Sequence, residues 1–269
     1  MKRIFQCKIV LAILTAFLLP LFANSQPTNS SVKADDYRTQ ARRIWHEYNL
    51  DNSTNSVDKL FAAGQQLQKD YPSRVNGYDF MMCAIEDCAY KNPEKARTWA
   101  GILASDSSAP ERFKLWSKGF LYRLDSQGKQ IAIKFRAIDG REVDLEKMNG
   151  KVVLVDFWST GCVPCVAELP RVKAALEKYQ AQDFAVIGVS CDTEKETLEK
   201  FLKGKQISWP QYFDGQQQER NKFTQEFGID AIPHMFLIDK KGCLRFDNVR
   251  ASGEEKDFEG KIEALLSEK

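Results

Sequence analysis

Residues 152–170 read VVLVDFWSTGCVPCVAELP, and the order of side chains in this stretch governs the reading of its surroundings. Val152 to Val155 form a β-branched apolar run of the kind that makes a buried strand. The run passes through Phe157 and Trp158 into Gly161, Cys162, Val163, Pro164 and Cys165. Two residues between the thiols, with the second on the first turn of a helix, bring the Cα atoms within the roughly 4.4–6.8 Å that a disulfide tolerates. At a helix N-terminus Cys162 faces unpaired N–H groups and the positive end of the macrodipole, both of which lower a thiol pKa. Cys162 is therefore read as the attacking sulfur of a redox pair and Cys165 as the resolving one. Half of a zinc site is the competing reading, but no second CxxC or His pair completes four ligands. Neither a metal nor a bound cofactor is expected.

DFW, CxPC and the following ELP together resemble the thioredoxin superfamily, specifically the exported TlpA/ResA-type thiol:disulfide oxidoreductases, from about Ile131 to the C-terminus. The resemblance implies an α/β thioredoxin-like domain entered through an N-terminal β-hairpin extension. It implies an enzyme that exchanges dithiols with protein thiols and disulfides, re-reduced by a separate membrane-linked electron donor. Asp156 matches the thioredoxin aspartate that accepts the proton of the resolving cysteine, where many TlpA/ResA relatives have asparagine. From the residues alone, a carboxylate in an apolar strand is costly and its pKa should rise; an outward turn at the strand end is the alternative. Pro233, in Gly228-Ile229-Asp230-Ala231-Ile232-Pro233, matches the superfamily's cis-proline, which faces the disulfide and offers a backbone edge to the substrate chain. Ile232 before it is similar to reducing thioredoxins.

His234 stands where the family usually has threonine. An imidazole beside Cys162 would favour the thiolate, whereas an ordinary satisfied histidine is the other reading. Glu168 matches the acid of the family's CxxE-x-P pattern, with complementation of the helix dipole in an early turn as its structural reading. Trp158 is expected to pack beside the disulfide. Gly161 departs from the family, which commonly has tryptophan before the first cysteine, so the approach to Cys162 should be more open. The candidate set is thus Cys162, Cys165, Asp156 and Pro233 for catalysis, with Trp158, Ile232, His234 and Glu168 around the substrate.

A formal net charge of +2 over 269 residues, with no basic stripe, gives no support to nucleic-acid binding. Lys2, Arg3 and Lys8 precede the apolar Ile9 to Leu19, and Ala23-Asn24-Ser25 offers a small-x-small cleavage site. Residues 1–25 therefore read as a secretory signal peptide, which would place the mature protein in the periplasm or outside the cell. An uncleaved anchor, which would tie the chain to the membrane, is the rival, although the run falls short of the roughly 20 residues of a spanning helix. Cys7 lies where lipoprotein processing could not use it. Cys83 and Cys88, five apart in a helical stretch, face different ways and are poorly placed to bridge. Cys191 and Cys243 can be neither paired nor separated from the sequence, and each reads as a small buried hydrophobe in preference to a second redox centre.

Residues 26–128 read as a helical domain and 129–269 as the thioredoxin-like one. Gln26 to Lys33 is a polar lead; beyond it Tyr37, Ala41, Ile44, Trp45 and Tyr48, then Leu60, Ala63 and Leu67, recur at three and four. Pro72, Pro93 and Pro110 punctuate the helices. A tetratricopeptide-type repeat lacks its signature residues, leaving an irregular bundle as the alternative. Its aromatics, among them Trp45, Phe61, Phe80, Trp99, Phe113 and Trp116, are assigned to its core.

Ser126-Gln127-Gly128 marks the junction. After it, Ile131–Ile138 and Glu142–Leu145 flank the hairpin turn Asp139-Gly140. A helix is expected over Val166–Tyr179, a strand over Phe184–Ser190, and a helix from Thr193 with Thr193 and Glu196 as a capping box. A helix over Asn221–Phe227, strands at Met235–Asp239 and Leu244–Phe246, and a last helix capped by Ser252 and Glu255 complete the alternation. Two other function classes fit parts of the pattern. One is a thiol peroxidase on the same fold, for which the threonine and proline before the peroxidatic cysteine are not both present. The other is a partner-binding protein with idle cysteines.

Overall fold

The computed structural model describes residues 29–218, 221–249 and 258–268. The expected leader and the Ser252–Glu255 cap lie outside the described residues. The chain divides into two compact units between Lys118 and Gly119.

The first unit holds helices α1 (Asn29–Leu50), α2 (Ser56–Asp70), α3 (Asn76–Ala89), α4 (Pro93–Ser105) and the start of α5 (Glu111–Asp125). Helix α1 is described from Asn29, inside the expected polar lead of Gln26 to Lys33. Pro93 opens α4, where its missing N–H is harmless, and the Asn92 side chain accepts the Lys95 N–H at 3.0 Å. Helices α2 and α3 touch backbone to backbone through Gly64 and Gly77. A Cβ on Gly64 would lie 2.6 Å from the Gly77 carbonyl oxygen, and one on Gly77 would lie 2.5 Å from that of Gly64. Phe61, Phe80, Phe113 and Trp116 are buried, and Phe61 stacks on Trp99 with centroids 4.3 Å apart. Cys88 is a buried free thiol, as Cys191 is in the second unit, whereas Cys243 there is only partly buried, which corrects its reading as a buried hydrophobe.

The second unit opens with the hairpin β1 (Lys134–Arg136) and β2 (Glu142–Asp144), turned at Gly140 with φ +88°, a conformation only glycine adopts without strain. Then follow β3 (Val152–Trp158), α6 (Val163–Tyr179), β4 (Phe184–Ser190), α7 (Lys195–Gly204), β5 (Gln211–Tyr212), α8 (Lys222–Glu226), β6 (His234–Ile238), β7 (Leu244–Phe246) and α9 (Phe258–Ser267). The strands form one sheet in the order β5-β4-β3-β6-β7, with β3 parallel to β4 and antiparallel to β6. This is the thioredoxin-like α/β arrangement with its hairpin extension.

Strand β3 is the middle of the sheet and every one of its residues is buried. Because side chains alternate along a strand, Val152, Leu154 and Trp158 meet Cys165, Leu169 and Val172 of α6 and Phe258 of α9. Val153, Val155 and Phe157 meet Phe223, Phe227 and Phe236 on the opposite face. Each such side chain contributes about 1.5–3 kcal/mol by leaving water. Two local expectations are corrected. Helix α7 starts at Lys195 with Glu194 as its N-cap and no side-chain cap bond, so Thr193 and Glu196 do not form a capping box. The register of the first turn, one residue late, puts Glu196 at the second helical position instead of the third. Strand β5 was not anticipated, since two residues after Pro210 carry no alternation to read.

Candidate active site

The C-terminal end of β3 hands the chain to α6 through Ser159, Thr160 and Gly161. Cys162 is the N-cap of α6, and the Cys165 backbone N–H donates to its Sγ at 3.2 Å. Pro164 stands at the start of the helix, where it removes only an amide that had no intrahelical partner. Cys162 and Cys165 form a disulfide with Cα atoms 5.2 Å apart. Cys162 is half-buried and Cys165 is 2% exposed, so an incoming molecule reaches the first sulfur before the second. Val163, between them, is 78% exposed. At Gly161 an added Cβ would meet nothing within 4 Å; with glycine there, no side chain screens the helix tip.

Ile232 and Pro233 join through a cis peptide, and the Ile232 carbonyl oxygen lies 3.7 Å from Cys162 Sγ. The structure thus brings Cys162, Cys165, Ile232 and Pro233 together. Asp156, 2% exposed, lies in register with Gly188 of β4 and Met235 of β6. Alternation places it on the face that carries Trp158 and packs on Cys165, so it does not turn outward. Trp158 is buried in the same cluster as Cys165, rests against Phe201 with ring centroids 5.6 Å apart, and donates Nε1–H to Gln211 Oε1 at 2.9 Å.

Glu168 is fully buried in the second turn of α6, and the first turn holds no acid. It lies beyond the first turn, where the dipole acts most strongly. His234 is turned away from Cys162. It pairs with Phe157 across the β3–β6 ladder, and its ring packs edge-on against Phe157 and Phe236 on the opposite face of the sheet. There its Nε2 lies 2.6 Å from Asp247 Oδ1.

Two residues that pattern reading missed shape the site. Asp192 accepts the Thr160 N–H at 3.0 Å and the Thr160 hydroxyl at 2.6 Å, and takes the Ser190 hydroxyl at 2.8 Å, which fixes the loop before Cys162. Gln211 is 1% exposed and holds Trp158; its side chain occupies the space over Gly188, where a Cβ would lie 2.0 Å from Oε1. A glycine inside a buried strand was the available signal for such a close approach. Among the described residues no group of three or more His, Cys, Asp or Glu side chains is placed to hold a metal ion. No described helix is long and apolar enough to cross a membrane.

The AhpC/TSA family model matches residues 128–247. The thiol-disulfide oxidoreductase ResA of Geobacillus thermodenitrificans is 34% identical over 108 residues, which are 40% of this chain and 60% of that protein. The ResA of Bacillus cereus is 28% identical over 128 residues, 48% of this chain and 71% of that one. The thioredoxin domain of a thiol-disulfide oxidoreductase from Bacteroides vulgatus superposes with a TM-score of 0.45 at 27% identity, covering 52% of this chain and 98% of that domain. The chain thus spans 60% of the first relative's length. With the CVPC pair at the tip of α6 and the cis-proline beside it, the residues that match the AhpC/TSA family model form a thioredoxin-like domain similar to the ResA-type thiol-disulfide oxidoreductases.

Proposed function

We propose that the chain is an exported thiol:disulfide oxidoreductase that reduces disulfides in other proteins. The observation that carries the reading is the position of Cys162, an N-cap sulfur that accepts the Cys165 N–H and lies 3.7 Å from the Ile232 carbonyl. A thiolate at that point is stabilised by the helix N-terminus, and the thiolate is the nucleophile of exchange. Starting from the dithiol, the Cys162 thiolate attacks one sulfur of the substrate disulfide. A mixed disulfide forms and the other substrate sulfur leaves as a thiolate. Asp156, on the Cys165 face of the sheet, takes the Cys165 proton. The new thiolate attacks Cys162 Sγ, the second substrate sulfur leaves, and two electrons have passed to the substrate. The enzyme is left with the Cys162–Cys165 disulfide, and a separate dithiol donor, membrane-linked by family resemblance, restores it.

Ile232 and Pro233 are assigned to the substrate-facing rim; Trp158, expected there from the sequence, is buried and with Glu168 supports α6 behind the pair. The exported location rests on the charged and apolar run of residues 1–25. The direction, reduction of the substrate, rests on Ile232 and Asp156. Insulin reduction with dithiothreitol as donor tests the activity: the wild type should catalyse it and Cys162→Ser should be inert. Equal rates for the two would reject it. Cys165→Ser, which lacks the resolving sulfur, should accumulate the mixed disulfide and identify the substrate on capture.

A further inference from the structure

A guanidinium from outside the matched domain is buried behind the proline edge. Arg123, in the last turn of α5, lies before residue 128, where the family match begins, and is 2% exposed. Its Nε–H donates to the Phe227 carbonyl at 2.8 Å, and Nη2 lies 3.4 Å from that of Gly228. Nη1 donates to Asp247 Oδ2 at 2.7 Å. The other carboxylate oxygen, Oδ1, is 2.6 Å from His234 Nε2, which places the ring hydrogen on Nε2. Nη1, 3.5 Å from that nitrogen, is then a neighbour and not a donor to it. His234 directly follows Pro233, so the fork, the carboxylate and the imidazole hold both ends of the segment from Phe227 to His234.

Helix α5 can bring Arg123 there because Gly119 lies against the same segment. A Cβ on Gly119 would fall 2.3 Å from the Gln225 carbonyl oxygen and 2.3 Å from the Gly228 nitrogen. Tyr122 adds a ring contact with Phe227, centroids 5.6 Å apart. Three residues of one helix end therefore address one loop, and the loop's far end carries the Ile232 carbonyl, 3.7 Å from the Cys162 sulfur. The guanidinium is 2% exposed and Asp247 24%, so it is Arg123 that would be left a poorly solvated charge if its partner were lost.

We propose that Arg123 is a positioning residue for substrate binding: acting through Asp247 and His234, it fixes the Ile232–Pro233 edge along which the substrate polypeptide lies. The inference rests on the thiol-exchange reading and adds to it a residue supplied by the segment before the domain. A polypeptide disulfide uses that edge, whereas a small disulfide needs only the Cys162 sulfur. Arg123→Lys keeps the charge and loses the fork; Arg123→Met loses both; Asp247→Asn keeps the shape and loses the counter-charge.

The test compares insulin with hydroxyethyl disulfide as substrates of the full chain and its variants, with circular dichroism to establish folding. Arg123→Lys and Asp247→Asn should raise KM for insulin about tenfold with kcat nearly held, while the rate with hydroxyethyl disulfide stays within about twofold. Arg123→Met should show the larger split wherever it folds, and the two milder variants carry the test if it does not. A parallel fall for both substrates, or no change for either, overturns the proposal. A wild type inert toward both disulfides removes the exchange reading and the proposal with it, whereas an active wild type with parallel losses removes the proposal alone.

Discussion

The two faces of β3 are built from the same strand and do different work. On one, Asp156 and Trp158 lie against the helix that carries Cys162 and Cys165. On the other, Phe157 packs among Phe227, Phe236 and the ring of His234, with Arg123 and Asp247 beyond. The first face stays close to the cysteine pair, and the second holds the backbone proposed to meet the substrate. If that division is right, a substitution on the cysteine face should change rates before it changes stability. One on the opposite face should change stability and substrate affinity before it changes the chemistry of the thiols.

The largest effect should come from Phe157→Ala. The ring is fully buried and edge-packed on two phenylalanines, so its loss leaves a cavity that costs about 3–5 kcal/mol. Urea denaturation should show a lower midpoint, while the folded fraction keeps its rate with a small disulfide. A proportional loss of that rate in fully folded protein would erase the distinction between the faces.

Asp156→Asn is the converse. General-base assistance contributes about 10²–10⁴-fold, so release of substrate from the mixed disulfide should slow by about 10²-fold and the mixed disulfide should build up under rapid quench. Stability should hold or rise, because a buried carboxylate is replaced by an uncharged side chain of the same shape. Unchanged release kinetics would take the proton-acceptor role away from Asp156.

Asp247 contributes an acid-sensitive stabilisation on the opposite face. Burial acts to raise its carboxyl, but Arg123 and His234 outweigh it and hold the group at about 2 against the ordinary 3.8. Native Asp247 thus stays charged where the unfolded chain already binds a proton. The stabilisation is fully present above about pH 4 and is lost as the pH falls through about 2, and the shift corresponds to about 2 kcal/mol. Asp247→Asn should flatten the acid limb of a stability-against-pH curve by that amount. An acid limb identical to the wild type would place the charge stabilisation elsewhere.

The cysteine face was legible in the sequence because its signals are local. Val152 to Val155, the CVPC spacing and the acid in the strand all lie within one strand and one turn, and Pro233 announced itself by motif. The opposite face was not legible, since Arg123 and Asp247 are 124 positions apart. Nothing in the helical pattern of α5 marks Arg123 as buried. His234 was noticed but aimed at the wrong partner: its place beside the proline is local, whereas the direction of its ring is set by the β3–β6 register. The helical character of the first unit was readable from its three-and-four spacing and its prolines. The Gly64–Gly77 contact was not, because a glycine in a helix reads only as a weak propensity until its neighbour is known.

The finest test of the division is Trp158→Phe, since Trp158 belongs to the cysteine face yet is held by a residue of the edge strand. The change removes one N–H and leaves the buried Gln211 Oε1 without that donor, while Gln211 keeps a weaker bond from its Nε2 to the Trp209 carbonyl at 3.4 Å. A buried acceptor deprived of its donor costs about 1–3 kcal/mol, and the remaining bond and the retained phenyl ring point to the low end, about 1 kcal/mol. Stability should fall by that much in urea. The mixed-disulfide rate should fall less than in Asp156→Asn, because the indole packs beside the cysteines without exchanging a proton with them. A rate loss equal to that of Asp156→Asn, with stability unchanged, would mean that the indole shapes the reacting sulfurs directly and that the cysteine face is one coupled unit.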